Sequence, residues 1–242
     1  MVITANIKKL RLGILGSGNG GDLPAIVESI NNGGLKGLAE IAVVISDFND
    51  SGILQKANDY KLYSVCINPG DYRYNDKISK KLFDSSISNW LSGYKVDLIT
   101  LIGYKRILSK MFVDEWKNKV INVHPSLLPD YAGLNDLGVH KQVLEDKSDV
   151  SGCTIHFVDN GIDTGPIILQ ASVLVEKDDT PETLKARVQK AEQFLYPIAI
   201  EHYAKGEMLV GDIKNNTVKI QTQTGKECLK NFYFFMGDCI ND

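Results

Sequence analysis

Short, nearly continuous apolar runs alternate with stretches whose apolar residues return every three or four positions. The runs Leu10 to Leu15, Ile41 to Ile45, Tyr63 to Ile67 and Val96 to Ile102 predict buried strands. Asp22 to Asn32, Ile53 to Tyr60 and Asp76 to Leu91 predict helices, the last through Ile78, Leu82, Ile87 and Leu91 at helical spacing. Strands apolar on both faces and separated by helices predict an α/β protein: an open, mostly parallel sheet, covered on both faces and wound in right-handed crossovers. The pattern changes after Leu108. A short helix around Lys110 to Trp116 leads to a strand over Val120 to Val123, and a proline-bearing loop runs from Pro125 to about Gly138. Strands over Cys153 to Val158 and Pro166 to Val175 flank the turn-rich Asp159 to Gly165. Thr180-Pro181-Glu182 opens an amphipathic helix to about Lys205, with proline at its first position. Met208 to Asp242 reads as one or two strands and a tail.

Composition narrows this picture without adding chemistry. The chain has 242 residues, 43% hydrophobic and 24% charged, which argues against collagen-like, disordered, disulfide-scaffold and membrane-spanning classes. A formal net charge of -3 gives no broad field for a polyanion, so nucleic acid is not an expected partner. The start MVITANIKKLRLGIL has no long apolar stretch followed by a small-residue cleavage site, and a cytoplasmic protein is expected. Cys66, Cys153, Cys228 and Cys239 are scattered, and buried thiols are favoured over disulfides.

Three segments carry candidate chemistry. Gly16-Ser17-Gly18-Asn19-Gly20-Gly21 lies between a strand and a helix, where glycines permit close backbone approach and the helix end offers free amides. An anion suits it, phosphate first. It also reads as G-x-G-x-x-G, with Asp47 ending the second strand where a dinucleotide site would put its ribose-binding acid, so a nicotinamide oxidoreductase competes, as does a bare turn. In Ile121-Asn122-Val123-His124-Pro125, strand alternation sets Asn122 and His124 on one face at the strand's C-terminal end, where open α/β sheets build their sites. A structural histidine is the alternative. Gly161 and Gly165 bracket Asp163 on a short loop, and a carboxylate beside His124 would raise the imidazole's proton affinity. Asp159 in the same loop suits turn chemistry better.

Taken in order, Gly-Ser-Gly-Asn-Gly from Gly16, Leu101-Ile102-Gly103-Tyr104-Lys105-Arg106-Ile107-Leu108, Asn122 through Pro129 and Gly152 through Gln170 resemble the folate-dependent formyltransferase family. The resemblance runs from about Arg11 to Gly206 and closes on Arg187 to Glu192 and Tyr196-Pro197. It implies a Rossmann-like formyltransferase fold with an antiparallel C-terminal part, as one domain over 1–242. Within it, 1–108 would bind phosphate, 109–206 would bind folate and carry the catalytic groups, and 207–242 would be an extension.

The implied reaction moves a formyl group from 10-formyltetrahydrofolate, a co-substrate, to the amine of 5'-phosphoribosylglycinamide in purine synthesis, without a metal. A sugar-nucleotide amine is the second acceptor the resemblance allows. Asn122, His124 and Asp163 become the catalytic trio. Gly18, Asn19, Gly20, Gly21 and Asp22 fall in the phosphate loop, and Glu192 matches a ribose-holding residue. Arg106, Ile107 and Leu108 line a pterin pocket with Val158, Asp159 and Asn160, and His156 stands behind the site. The implied partners are small molecules, with the protein a monomer or homodimer.

Some positions depart from the family's pattern. Asp22 stands where Asn is usual and could serve as a helix cap instead, Gly21 where Ser is common, and Lys105 where Met is frequent. Asn135-Asp136-Leu137-Gly138 lengthens the loop after the prolines. Most of these changes fall on the acceptor side of the implied site.

Overall fold

In the computed structural model, the described residues are 8–209 and 216–221, with the backbone at 210–214, 227–228 and 233–235. Five strands are parallel: β1 (Leu10–Gly16), β2 (Ala39–Ser46), β3 (Ser64–Cys66), β6 (Leu98–Leu101) and β7 (Val120–His124). A two-stranded hairpin, β4 (Arg73–Tyr74) and β5 (Lys77–Ile78), stands apart from them. Connecting helices are α1 (Leu23–Asn32), α2 (Gly52–Asp59), α3 (Lys80–Gly93) and α4 (Lys110–Glu115). Then α5 (Asp136–Glu145) leads to β8 (Val150–Phe157) and β9 (Ile167–Leu174), which run antiparallel, followed by the long α6 (Pro181–Ala204). The main sheet is ordered β10-β11-β9-β8-β7-β6-β1-β2-β3, where β10 is Met208–Lys214 and β11 is Thr217–Gln221. Two short strands, β12 (Glu227–Cys228) and β13 (Tyr233–Phe235), pair with β11 and β9.

Strand alternation divides the interior into two cores, one on each face of the sheet. Leu12, Ile14, Val44, Leu98 and Ile121 face the core made with α1, α2, α5 and α6. Their neighbours Leu15, Val43, Ile45, Ile99, Leu101 and Val120 face the core made with α3 and α4. Apolar residues at consecutive strand positions are therefore required, as the continuous runs in the sequence imply.

Two expected boundaries move. The third helix starts at Lys80, not Asp76, because Asn75 and Asp76 adopt left-handed backbone (φ 49° and 60°) in the β4–β5 turn, and Ser79 caps the helix through the Leu82 amide. The loop expected from Pro125 to Gly138 is also shorter. Asn135 Oδ1 accepts from the Gly138 amide and starts α5, which buries Val139, His140 and Val143. Among the described cysteines, Cys66 and Cys153 are free thiols, Cys153 fully buried; the Cys228 side chain and Cys239 lie outside the described residues. Within the stretch expected to form one or two strands and a tail, the backbone of β13 pairs in parallel with Gln170 to Ser172. No helix among the described residues is long and apolar enough to cross a membrane.

Candidate active site

The C-terminal ends of β1, β6 and β7 converge with the β8–β9 turn. On β7, Asn122 pairs in register with His156 of β8, and His124 with Thr154. His156 Nδ1 donates to the Phe157 carbonyl at 2.9 Å, leaving Nε2 to accept from Asn122 Nδ2 at 3.2 Å. That fixes which way the Asn122 amide points. Asp163 closes the group: Oδ2 lies 3.3 Å from His124 Nδ1, and Oδ1 lies 3.7 Å from His156 Nε2.

Asp163 reaches the histidines from a strained loop. Its own φ is +53°, a conformation Asp tolerates better than most residues. The loop must also close tightly, since a Cβ at Gly165 would sit 1.8 Å from the Phe157 carbonyl oxygen. The Gly133 amide donates to Asp163 Oδ2 at 3.0 Å, tying it to the segment after the prolines. That segment rests on a buried node. Thr154 Oγ1 donates to the Ser126 carbonyl (2.6 Å) and accepts from the Leu128 amide (3.0 Å) and Gln170 Nε2 (2.9 Å).

Electrostatically, His124 is pulled two ways. Burial lowers its pKa and outweighs Asp163 and the Tyr131 carbonyl, which raise it. Asp163 thus raises the proton affinity of His124 as expected, and burial opposes it with the larger effect. Yet Nε2 lies 3.3 Å from the Tyr131 carbonyl and Nδ1 faces Asp163, so both ring nitrogens look at acceptors and only the imidazolium donates to both. The group is poised to take a proton when negative charge appears beside it. Burial likewise lowers the His156 pKa.

The glycine loop runs from β1 into α1. At Gly20 the backbone is left-handed (φ +64°), and a Cβ there would lie 2.6 Å from the Ile53 side chain, so glycine is required. Among the described residues no hydrogen bond engages the backbone amides of 18–22, which leaves them free for an anion. Lys56 Nζ donates to the Asn19 carbonyl, and Gln193 Nε2 to that of Gly21. Asp22 does not cap α1: it has helical backbone and makes no side-chain capping bond. Its side chain is buried, Oδ1 has no partner, and burial, then Asp136, push its pKa up to about 7. Glu192, also buried, is pushed well above the carboxylate range by burial and then by Asp22.

The pterin-pocket candidates fall into two segments bordering one core. Leu108 is buried there and Val158 packs against it, while Ile107 is 62% exposed. Arg106 Nε donates to Asp47 Oδ2 at 2.6 Å, and its guanidinium lies over the Phe83 ring. Asp47 is thereby occupied by a cation, which removes the acid the dinucleotide reading needed. Asp159 Oδ1 accepts from the Gly161 amide and Thr164 Oγ1, as turn chemistry requires, and Asn160 donates to Asp114. Among the described residues, no group of three His, Cys, Asp or Glu is arranged to hold a metal ion. Three links gave no signal in the sequence: the His156–Asn122 bond, the Gly133 tie to Asp163, and the Arg106–Asp47 pair. Each joins side chains or amides far apart in the chain.

A sequence model of the formyl transferase family matches residues 10–200. This chain belongs to the formyl transferase family. It is 33% identical over 202 residues to the phosphoribosylglycinamide formyltransferase of Haemophilus influenzae, covering 84% of this chain and 91% of that one. It is 38% identical over 205 residues to the trifunctional purine biosynthetic protein adenosine-3 of Drosophila melanogaster, covering 84% of this chain but only 14% of that protein's length. The crystal structure of glycinamide ribonucleotide transformylase 1 from Symbiobacterium toebii superposes with a TM-score of 0.79 at 37% identity, covering 88% of this chain and 94% of the other. The mostly parallel sheet with antiparallel strands toward the C-terminus is the fold of these formyl transferase relatives.

Proposed function

We propose that this protein transfers the formyl group of 10-formyltetrahydrofolate to the amine of 5'-phosphoribosylglycinamide, a step of purine synthesis. The observation that carries the reading is the Asn122–His156–Asp163–His124 cluster at the sheet's C-terminal edge, in a chain matched along 91% of a bacterial phosphoribosylglycinamide formyltransferase. The glycine loop with its free amides takes the acceptor's phosphate, and Glu192 the ribose. Arg106 to Leu108 and Val158 to Asn160 border the pterin of the donor. The whole of 1–242 acts as one domain, with small molecules as its partners.

The amine nitrogen attacks the formyl carbon on N10, and the carbonyl oxygen becomes an oxyanion in a tetrahedral intermediate. Asn122 offers its second amide hydrogen to that oxygen. His124 takes up a proton from solvent as the charge develops and gives it back when the carbonyl re-forms, because the cation satisfies both of its acceptors at once and stabilises the neighbouring oxyanion by its charge. Asp163 receives the proton lost by the attacking nitrogen and returns it to N10. The C–N10 bond then breaks and the carbonyl re-forms, giving the formylated amine and tetrahydrofolate. Such preorganised groups each lower the barrier by about 3 kcal/mol.

The test is consumption of 10-formyltetrahydrofolate, followed by absorbance, with 5'-phosphoribosylglycinamide against a panel of sugar-nucleotide amines. The reading requires the glycinamide to be the preferred acceptor by kcat/KM. Preference for a sugar-nucleotide amine replaces the acceptor and leaves the formyl chemistry standing. No turnover with any amine ends the reading.

A further inference from the structure

One short segment, residues 131–134, touches both partners of His124. The Tyr131 carbonyl lies 3.3 Å from Nε2, and the Gly133 amide donates to Asp163 Oδ2, the oxygen that lies 3.3 Å from Nδ1. The backbone of this segment is unusual. Tyr131 and Gly133 are both left-handed (φ +61° and +78°), a conformation that glycine adopts freely and a bulky aromatic residue does not. The Tyr131 carbonyl is aimed at His124 by that conformation, so contacts from the rest of the protein must hold it there.

Tyr131 supplies the hold through its own side chain. Ala132, Gly133 and Leu134 are exposed, whereas Tyr131 is partly buried against the core made with α5 and α6. Its hydroxyl is hydrogen bonded to Ser148 Oγ at 3.1 Å, in the turn between α5 and β8. On another side the residue borders a cavity of about 60 Å³ shared with Leu127 and Ser151, where packing gives no support. The chain entering Tyr131 is fixed separately: Ser126 Oγ donates to the Asp130 carbonyl at 2.5 Å, and the Asp130 amide donates to the Leu127 carbonyl at 3.1 Å. What the Tyr131–Ser148 bond controls is therefore the turn itself.

We infer that Tyr131 and Ser148 are positioning residues for formyl transfer: their hydrogen bond holds the left-handed turn that aims the Tyr131 carbonyl at His124, and so keeps the imidazole placed to carry its positive charge. This rests on the reaction proposed above and adds two residues that act through His124. An acceptor on Nε2 favours the imidazolium over the neutral ring, so loosening it lowers the proton affinity of His124. The other groups acting on that ring stay in place. They are Asp163 from the β8–β9 turn, His156 from β8 and His140 from α5.

The test uses Tyr131→Phe, Ser148→Ala and the two combined, in the full chain. Each single change removes one hydroxyl and leaves the rest of the side chain, so the fold is kept. With 10-formyltetrahydrofolate and 5'-phosphoribosylglycinamide, each single variant should lose about tenfold in kcat, with KM for both substrates within about twofold of wild type. The double variant should lose no more than the slower single one, because both changes break the same bond. Nuclear magnetic resonance of the histidine-labelled protein, without substrates, should show His124 titrating at lower pH in every variant. A kcat within about twofold of wild type in either single variant overturns the inference. So does an additive loss in the double variant, or a loss of kcat with the His124 titration unmoved, which would mark general damage in place of positioning. Each of these leaves formyl transfer standing. Absence of formyl transfer by the wild-type protein removes the proposed reaction itself, and this role with it.

Discussion

His124 and Asp163 have their ordinary chemistry changed by position. His124 is buried to 5% exposure between a carboxylate and a carbonyl, so its neutral form is favoured by the interior and its cationic form by its two partners. Removing the donor or the carboxylate should therefore cost catalysis and not folding. His124→Ala and Asp163→Asn are each expected to lose about 100-fold or more in kcat with a circular dichroism spectrum like the wild type's. Rates within a fewfold of wild type in either would contradict the assignment. Asp22 gives a stability prediction of definite sign. Its folded pKa of about 7 lies above the ordinary aspartate value of 3.8, so this group's stabilisation is full below about pH 4 and is lost as pH rises through 7. Asp22→Asn should leave folding stability unchanged near pH 4 and raise it increasingly toward pH 8, by at most about 4 kcal/mol, read from melting across that range. A melting difference independent of pH would contradict it. Strand alternation made the shared face of Asn122 and His124 legible in the sequence. The burial of Asp22 was not legible, because a helix start looks the same whether its acid caps the helix or turns inward.

Elements differ in how far their own residues specify them. Helix α6 shows both of its start signals in the sequence, and Thr180 and Thr183 form the reciprocal capping box that Thr-Pro-Glu-Thr allows. The helix beginning at Asp136 was hidden because Gly138 reads as a loop residue. In the structure Gly138 instead supplies the amide that Asn135 caps, and Val139 and Val143 then fall on one buried stripe. Pairings across the sheet were the least legible, since a cross-strand partner is set by tertiary approach. The Thr154 node is one such pairing. Thr154→Val keeps the shape but leaves the Leu128 amide and the Gln170 side chain short of an acceptor, at about 1–3 kcal/mol for each buried group unpaired. A lower melting temperature and a fall in kcat are expected together, because this node supports the segment that holds Asp163 through Gly133. A lower melting temperature with unchanged kcat would show that the segment does not transmit its position to Asp163.

For the whole molecule, the continuous apolar strands require two covered faces, and both cores are present, so the fold class was written in the hydrophobic pattern. The order β9-β8-β7 with its antiparallel pairings was not, and it is this reversal that brings His156 beside Asn122 and Asp163 within reach of both histidines. A folate-binding protein of this architecture should be stabilised by a reduced-folate analogue and not by a nicotinamide dinucleotide, because a ligand that prefers the folded state raises the melting temperature. The reverse pattern would favour the oxidoreductase reading of the glycine loop. The most direct test of the central claim follows the transferred carbon itself. With 10-formyltetrahydrofolate labelled at the formyl carbon and 5'-phosphoribosylglycinamide as acceptor, nuclear magnetic resonance should find the label in the amide of the formylated glycinamide, appearing only when both substrates are present. Label appearing as free formate, or remaining on the folate, would contradict the claim.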